Sequence, residues 1–134
     1  MHQPQLLVID DDAQIRRVYM RTLARDFAVE CAYDVASALA IIDARAQNGV
    51  APFDVVLCDL HLGATSGRDF YDELSRRSDE LRDRVVIITG LPATRGDVFA
   101  DALGDRYILK TAKLDELRET LLRLVPARTS VSAA

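Results

Sequence analysis

The chain has little cysteine. Cys31 and Cys58 are its only two among 134 residues, and they form no CxxC pair. That spacing fits neither a zinc site nor a redox dithiol, and both thiols read as small core residues. Long hydrophobic runs are also missing. No stretch approaches the ~20 apolar residues needed to cross a bilayer. The start, MHQPQLL, has no basic region ahead of an apolar core, so no secretory signal is read. Positive charge is not in excess: 17 Lys and Arg face 21 Asp and Glu, for a net charge of −4. A nucleic-acid surface would show a basic face instead. No internal repeat is visible, and no glycine-rich loop follows the first apolar run, where a nucleotide binder would place one. Together these absences lead us to expect a soluble cytoplasmic protein without membrane or nucleic-acid partners.

What is present fits one globular domain. The hydrophobic content is 49%, too high for a disordered chain. A chain of this length buries about two-thirds of its unfolded surface and needs no staples. We read residues 1–125 as the domain and 126–134, PARTSVSAA, as a flexible tail. His2 is expected to be disordered.

Short β-branched runs alternate with longer segments of helical spacing. The runs are 5–9, 29–32, 55–58, 85–89 and 107–109. The helical segments are about 13–25, 35–47, 68–77, 94–103 and 114–124. Asn48-Gly49 and Pro52 punctuate the chain before the third run, and Gly90 and Pro92 break it after the fourth. Five strands alternating with five helices predict an α/β fold with an all-parallel sheet. VVLC and VVIIT are apolar without alternation, as suits strands covered on both faces.

In such sheets the site lies beyond the carboxyl ends of the strands. The first strand delivers Asp10, Asp11 and Asp12 there. The second delivers Tyr33 and Asp34, the third Asp59, the fourth Thr89 and the fifth Lys110. Clustered carboxylates repel unless a cation relieves them, and Mg²⁺ suits carboxylates and phosphate oxygens. A carboxylate such as Asp59 can attack phosphorus and become an acyl phosphate. Lys110 can pair with the new charge and Thr89 can donate its hydroxyl. Asp54 starts the strand that Asp59 ends, roughly 16 Å away at ~3.3 Å per residue, and reads as a solvated strand start. Asp12 reads as an N-cap.

The motifs VIDDD, VVLCDLHLGATSG, VVIITG and RYILK stand in this order. Over about residues 5–125 the chain resembles the response-regulator receiver domains of two-component signalling. The resemblance implies a (βα)5 doubly wound, flavodoxin-like sheet of strand order 2-1-3-4-5. It implies a phosphoryl group passed from the phosphohistidine of a sensor histidine kinase, or a histidine phosphotransfer protein, onto Asp59. Mg²⁺ would be held by Asp10, Asp11, Asp59 and the main-chain carbonyl of His61. Thr89 and Tyr107 would act as the switch, changing a face that binds a downstream protein target. The last two helices are a candidate homodimer surface. CDLHLG and VVIITG look more like receivers of hybrid histidine kinases than like those of transcription factors. The implied role is a signalling module, not an enzyme beyond its own phosphotransfer and slow dephosphorylation.

Two positions depart from the family. Leu62-Gly63 replaces its usual Met-Pro, and Thr111 replaces the proline after Lys110, whose bond is commonly cis. A cis bond before a non-proline costs ~3 kcal/mol. The competing readings are an aspartyl-phosphate phosphatase, a flavin or nucleotide binder, and a degenerate receiver that only binds partners. A haloacid-dehalogenase-type phosphatase would want an acid where His61 stands. A degenerate receiver would have lost Asp59, an acid or Lys110. Taken singly, the bland readings hold: Thr89 a satisfied strand-end hydroxyl, Lys110 a surface cation, Tyr107 a packed aromatic, the His61 side chain exposed.

Overall fold

The computed structural model describes residues 3–110 and 113–126. His2, the tail beyond Pro126 and the Lys110–Thr111 bond, on which three expectations fell, lie outside the described residues.

Five strands form one parallel sheet: β1 (Gln5–Ile9), β2 (Ala28–Ala32), β3 (Val55–Asp59), β6 (Val85–Thr89) and β7 (Tyr107–Leu109). Between β3 and β6 lie two strands of two residues each, β4 (His61–Leu62) and β5 (Thr65–Ser66). The large sheet runs β2-β1-β3-β6-β7. Counted over its five long strands this is the expected 2-1-3-4-5. β4 and β5 pair antiparallel, so the all-parallel expectation holds for the large sheet and not for this hairpin. Gly63, at φ +69°, supplies the left-handed residue its turn needs.

Six α-helices accompany the strands among the described residues: α1 (Ala13–Leu23), α2 (Val35–Gln47), α3 (Gly67–Ser75), α4 (Asp79–Arg82), α5 (Val98–Leu103) and α6 (Leu114–Leu124). The first, second and last follow the apolar periodicity closely. The expected third helix ends two residues early, and a short helix that was not expected, α4, follows it. α3 stops at Ser75, and Ser78 caps a new turn by accepting from the Leu81 N–H, which lets Leu81 enter the core. The expected fourth helix starts four residues late. Gly96 has φ +80°, and Asp97 caps α5 by accepting from the Ala100 N–H.

Strand residues alternate between two cores, as a period of two dictates. Leu7, Ile9, Val56, Cys58, Val85 and Ile87 pack with residues of α2, α3, α4 and α5. Leu6, Val8, Val55, Leu57, Val86 and Ile88 pack with Tyr19 and Leu23 of α1 and Leu117 and Leu121 of α6. Both faces are covered, which is why β3 and β6 have no polar alternation. Full burial of each such side chain contributes about 1.5–3 kcal/mol. Of the leucine stripe of α6, Leu117 and Leu121 are therefore core and Leu124 packs partly buried against them, while Leu114 is exposed. Asp54 is not a merely solvated strand start: its Oδ2 accepts from the Gln5 N–H at 2.7 Å, tying β1 to the start of β3.

Candidate functional site

β1 sits between β2 and β3, so the chain turns opposite ways from it, and a crevice opens beyond its carboxyl end. Ile9 pairs with Cys58, which places Asp10 and Asp59 at the same edge of neighbouring strands. Thr89 ends β6 on the other side of β3. Lys110 follows β7, and its N–H donates to the Thr89 carbonyl at 2.8 Å.

The acids and Lys110 meet. One carboxylate oxygen from each of Asp10, Asp11 and Asp59 lies within 4.8 Å of the others. Asp10 and Asp59 are 2% and 5% exposed, and Asp11 is exposed. Asp59 Oδ1 accepts from the His61 N–H at 3.0 Å, and Oδ2 accepts from Lys110 Nζ at 2.6 Å. Asp10 Oδ1 accepts from the Asp12 N–H at 2.9 Å, while its Oδ2 is buried without a partner. Burial pushes the Asp10 carboxyl up to about 6. The Asp12 N–H pulls it down, the Asp59 charge adds to the rise and Lys110 subtracts from it. Burial alone would lower the Lys110 ammonium, but the hydrogen bond and charge of Asp59, with the charge of Asp10, raise it overall.

Thr89 is fully buried, and its Oγ1 accepts from the Leu91 N–H at 3.3 Å. Tyr107 is half-buried and packs against the core cluster that holds Phe99 and Leu103. The His61 side chain is exposed, as expected, at the start of the hairpin. Asp12 caps α1, accepting from the Gln14 and Ile15 N–H groups. Tyr33 and Asp34 do not join the cluster. Tyr33 is exposed, and Asp34 caps α2 in a reciprocal box with Ser37. Both cysteines are free; Cys58 is buried and its thiol donates to the Asp59 carbonyl at 3.3 Å.

Two supporting contacts were invisible in the sequence. Arg16 Nη1 reaches back from α1 to the Asp10 carbonyl at 2.7 Å. Gly67 folds over the end of β3, its N–H donating to the Leu60 carbonyl at 2.8 Å. A Cβ there would stand 2.7 Å from the Asp59 carbonyl oxygen, so only glycine fits without displacement. The glycine eight residues past Asp59 was legible as a motif, but its reason was not.

The donor set is chemically suited to a hard divalent cation: all oxygen, and more negative than its one cation balances. The buried, unpartnered Oδ2 of Asp10 is the clearest sign of that fit.

The family model described as response regulator receiver domain matches residues 6–122. The chain belongs to that family, and is the receiver domain of a response regulator in two-component signalling. It is 33% identical over 135 residues to the acid tolerance regulatory protein ActR of Sinorhizobium medicae (strain WSM419), covering 96% of this chain and 66% of that protein. It thus spans just under two thirds of that curated relative. Among solved structures it superposes on the receiver domain of the Francisella response regulator 1452 with TM-score 0.75, at 23% identity over 92% of this chain and 97% of that one. A response regulator from Burkholderia pseudomallei matches with TM-score 0.69 and 27% identity, over 96% of this chain and 69% of that one. That structure holds a phosphorylated aspartic acid, a calcium ion and citrate. Among the described residues, no helix is long and apolar enough to cross a membrane.

Proposed function

We propose that the domain, residues 1–125, accepts a phosphoryl group on Asp59 from the phosphohistidine of a sensor histidine kinase or a histidine phosphotransfer protein. The observation that carries this reading is the three converging carboxylates with Lys110 Nζ 2.6 Å from Asp59 Oδ2. Asp10, Asp11, Asp59 and the His61 main-chain carbonyl would hold Mg²⁺. When bound, the ion would neutralise charge on the carboxylates and on the phosphoryl oxygens of the donor.

An Asp59 carboxylate oxygen attacks phosphorus as the P–N bond of the phosphohistidine breaks, and the imidazole nitrogen leaves with the electron pair. The product is an acyl phosphate. Lys110, already held at the acceptor, follows the charge onto a phosphoryl oxygen. Thr89 turns its hydroxyl from the Leu91 N–H to donate to another. Tyr107 then packs inward behind Thr89, and the face of α5, β7 and α6 shifts its population between two arrangements. That face meets a downstream protein target, and α5 with α6 is the surface for a homodimer. Thr89, buried at the end of the strand beside β3, and Tyr107, half-buried against the core, support this sequence by their placement. The module works in the cytoplasm, as part of a hybrid kinase or of a separate regulator.

The test is incubation with acetyl phosphate, with and without Mg²⁺, on the wild type and Asp59→Ala, read by intact mass. One phosphoryl group gained only with Mg²⁺, and absent from Asp59→Ala, is expected. No gain, or a gain indifferent to Asp59, overturns the mechanism and leaves a module that binds partners without phosphorylation.

A further inference from the structure

Among the described residues, two buried side-chain polar atoms have no hydrogen-bond partner: Asp10 Oδ2 and Arg45 Nε. The first belongs to the acid cluster at the carboxyl edge of the sheet. The second lies toward the opposite edge, where the phosphoryl chemistry does not use it. A buried donor left unpaired carries its full desolvation cost, so each such atom in a folded protein needs a reason.

Arg45 is held by everything except that atom. Its guanidinium lies over the Phe53 ring, with Cζ 3.8 Å from the ring centroid. Nη1 donates to the Ala51 carbonyl at 2.9 Å, and Nη2 donates to Gln5 Oε1 at 3.0 Å. Glu30 Oε1 stands 3.6 Å from Nη2, and the arginine side chain is only 16% exposed. The fork is thereby fixed in place, with the Nε–H left to donate.

Arg45 lines a cavity of about 280 Å³ between α2, the loop before β3 and the start of α4. Ile42, Phe53 and Leu81 form its buried wall, and Ala46 and Val50 are its exposed rim. Its two acids are already matched. Arg77 Nη1 donates to both Asp43 oxygens at 2.8 Å, and Arg84 Nη2 donates to Glu80 Oε1 at 2.7 Å. Acids paired in this way attract a cationic ligand weakly, whereas the Nε of Arg45 offers a charged donor to an anion. An apolar cavity of roughly 150 Å³ holds benzene, so this one has room for a ring and a short acid chain.

We propose that this cavity binds a small aromatic carboxylate, its ring against Ile42, Phe53 and Leu81 and a carboxylate oxygen accepting from Arg45 Nε. The charge-assisted bond favours a carboxylate over a neutral oxygen, and the apolar wall favours a ring over a bare anion. The proposal does not rest on the reading of Asp59, which ends β3, while Phe53 stands before that strand begins.

The probe is phenylacetate, titrated into the ¹⁵N-labelled protein and followed by amide shifts. Phenethyl alcohol, phenethylamine and acetate are the comparison arms: the ring without charge, the ring with the opposite charge, and the charge without the ring. Shifts are expected in residues 42–53 and 77–81, with the acid bound about tenfold more tightly than the alcohol. Arg45→Met should bind acid and alcohol alike. Because Arg45 also ties α2 to Ala51 and Gln5, a second variant spares it. Ala46→Leu adds bulk at the rim, on a helix where leucine is nearly as favourable as alanine. It should fold as wild type and gain phosphate from acetyl phosphate as wild type, yet bind phenylacetate about tenfold more weakly. Equal binding of acid and alcohol by wild type, tighter binding of the amine or of acetate, or shifts outside these segments would each overturn the proposal. So would undiminished binding by Ala46→Leu, or no shifts at millimolar phenylacetate.

Discussion

Lys110 and Asp59 are joined across a strand that belongs to neither. Asp59 ends β3, Lys110 follows β7, and β6 lies between them, yet Nζ stands 2.6 Å from Oδ2. The lysine reaches over the Thr89 carboxyl end to do so, and the short backbone bond from its N–H to the Thr89 carbonyl fixes where the reach begins. Carboxylate, hydroxyl and ammonium are thereby held by three adjacent strands, while β1 brings the two acids from the other side.

Removing Lys110 should destabilise the metal-free protein. Lys110→Ala leaves Asp59 Oδ2 buried without its donor. The expected loss is about 1–3 kcal/mol, toward the low end because the lysine side chain is 32% exposed and water screens the pair. Urea unfolding checks this, and added Mg²⁺ should restore much of the difference.

Stability should fall as pH rises through the Asp10 transition. Its carboxyl is raised from 3.8 to about 6 in the folded state. Between those values the native protein binds more protons than the unfolded chain, so stability decreases with rising pH. The shift of about two pH units corresponds to at most ~3 kcal/mol. Metal-free protein should therefore melt higher near pH 5 than near pH 7. Asp10→Asn should flatten that slope. Asp34 and Asp105 are lowered instead, by hydrogen bonds from Ser37 and Arg123, so the stability they contribute is lost only at lower pH.

Mg²⁺ should stabilise the folded domain through the same acids. Ligand at a hundredfold excess over Kd adds about 2.7 kcal/mol. Thermal melts with and without Mg²⁺ should differ for wild type and coincide for Asp10→Asn and Asp59→Asn. A Mg²⁺ effect unchanged in both variants would place the ion elsewhere.

Gly67→Ala should harm both fold and acceptor. The new methyl would sit 2.7 Å from the Asp59 carbonyl oxygen and 3.0 Å from Ile87 Cδ1. Overpacking of this kind costs about 1–3 kcal/mol. The displaced backbone is that of Asp59 itself, so phosphorylation by acetyl phosphate should slow more than the stability loss explains. Unfolding and phosphorylation rates measured together test this.

The two-faced core and the acid cluster were legible because each rests on a local pattern, whereas the strand order came only with the family resemblance. Apolar runs such as VVIIT state that a strand is covered twice, and strand-end residues state which edge they share. The short helix α4 was not legible, because its single turn is too brief to show a period and is set by the Ser78 cap and the burial of Leu81. Tyr33 and Asp34 looked equivalent to Asp59 as strand-end residues. The reciprocal Ser37 bond claims Asp34, and a cap is decided by three residues of geometry that spacing alone does not resolve. The His61–Ser66 hairpin and the Arg16 contact with Asp10 depend on how loops fold back, which periodicity cannot report. The three acids of VIDDD take three different places. Asp12 caps α1, Asp10 is buried beside Asp59, and Asp11 converges on both from the exposed side.

The most direct measurement is chemical trapping of the modified carboxyl in the unaltered protein. The domain is phosphorylated with acetyl phosphate and Mg²⁺, reduced with borohydride, digested and mapped by tandem mass spectrometry. Conversion of Asp59 to homoserine, dependent on Mg²⁺ during phosphorylation, is the predicted result. Conversion at Asp10 or Asp11 instead, or none at Asp59 in protein that has gained a phosphoryl group, would contradict the assignment of Asp59 as the acceptor.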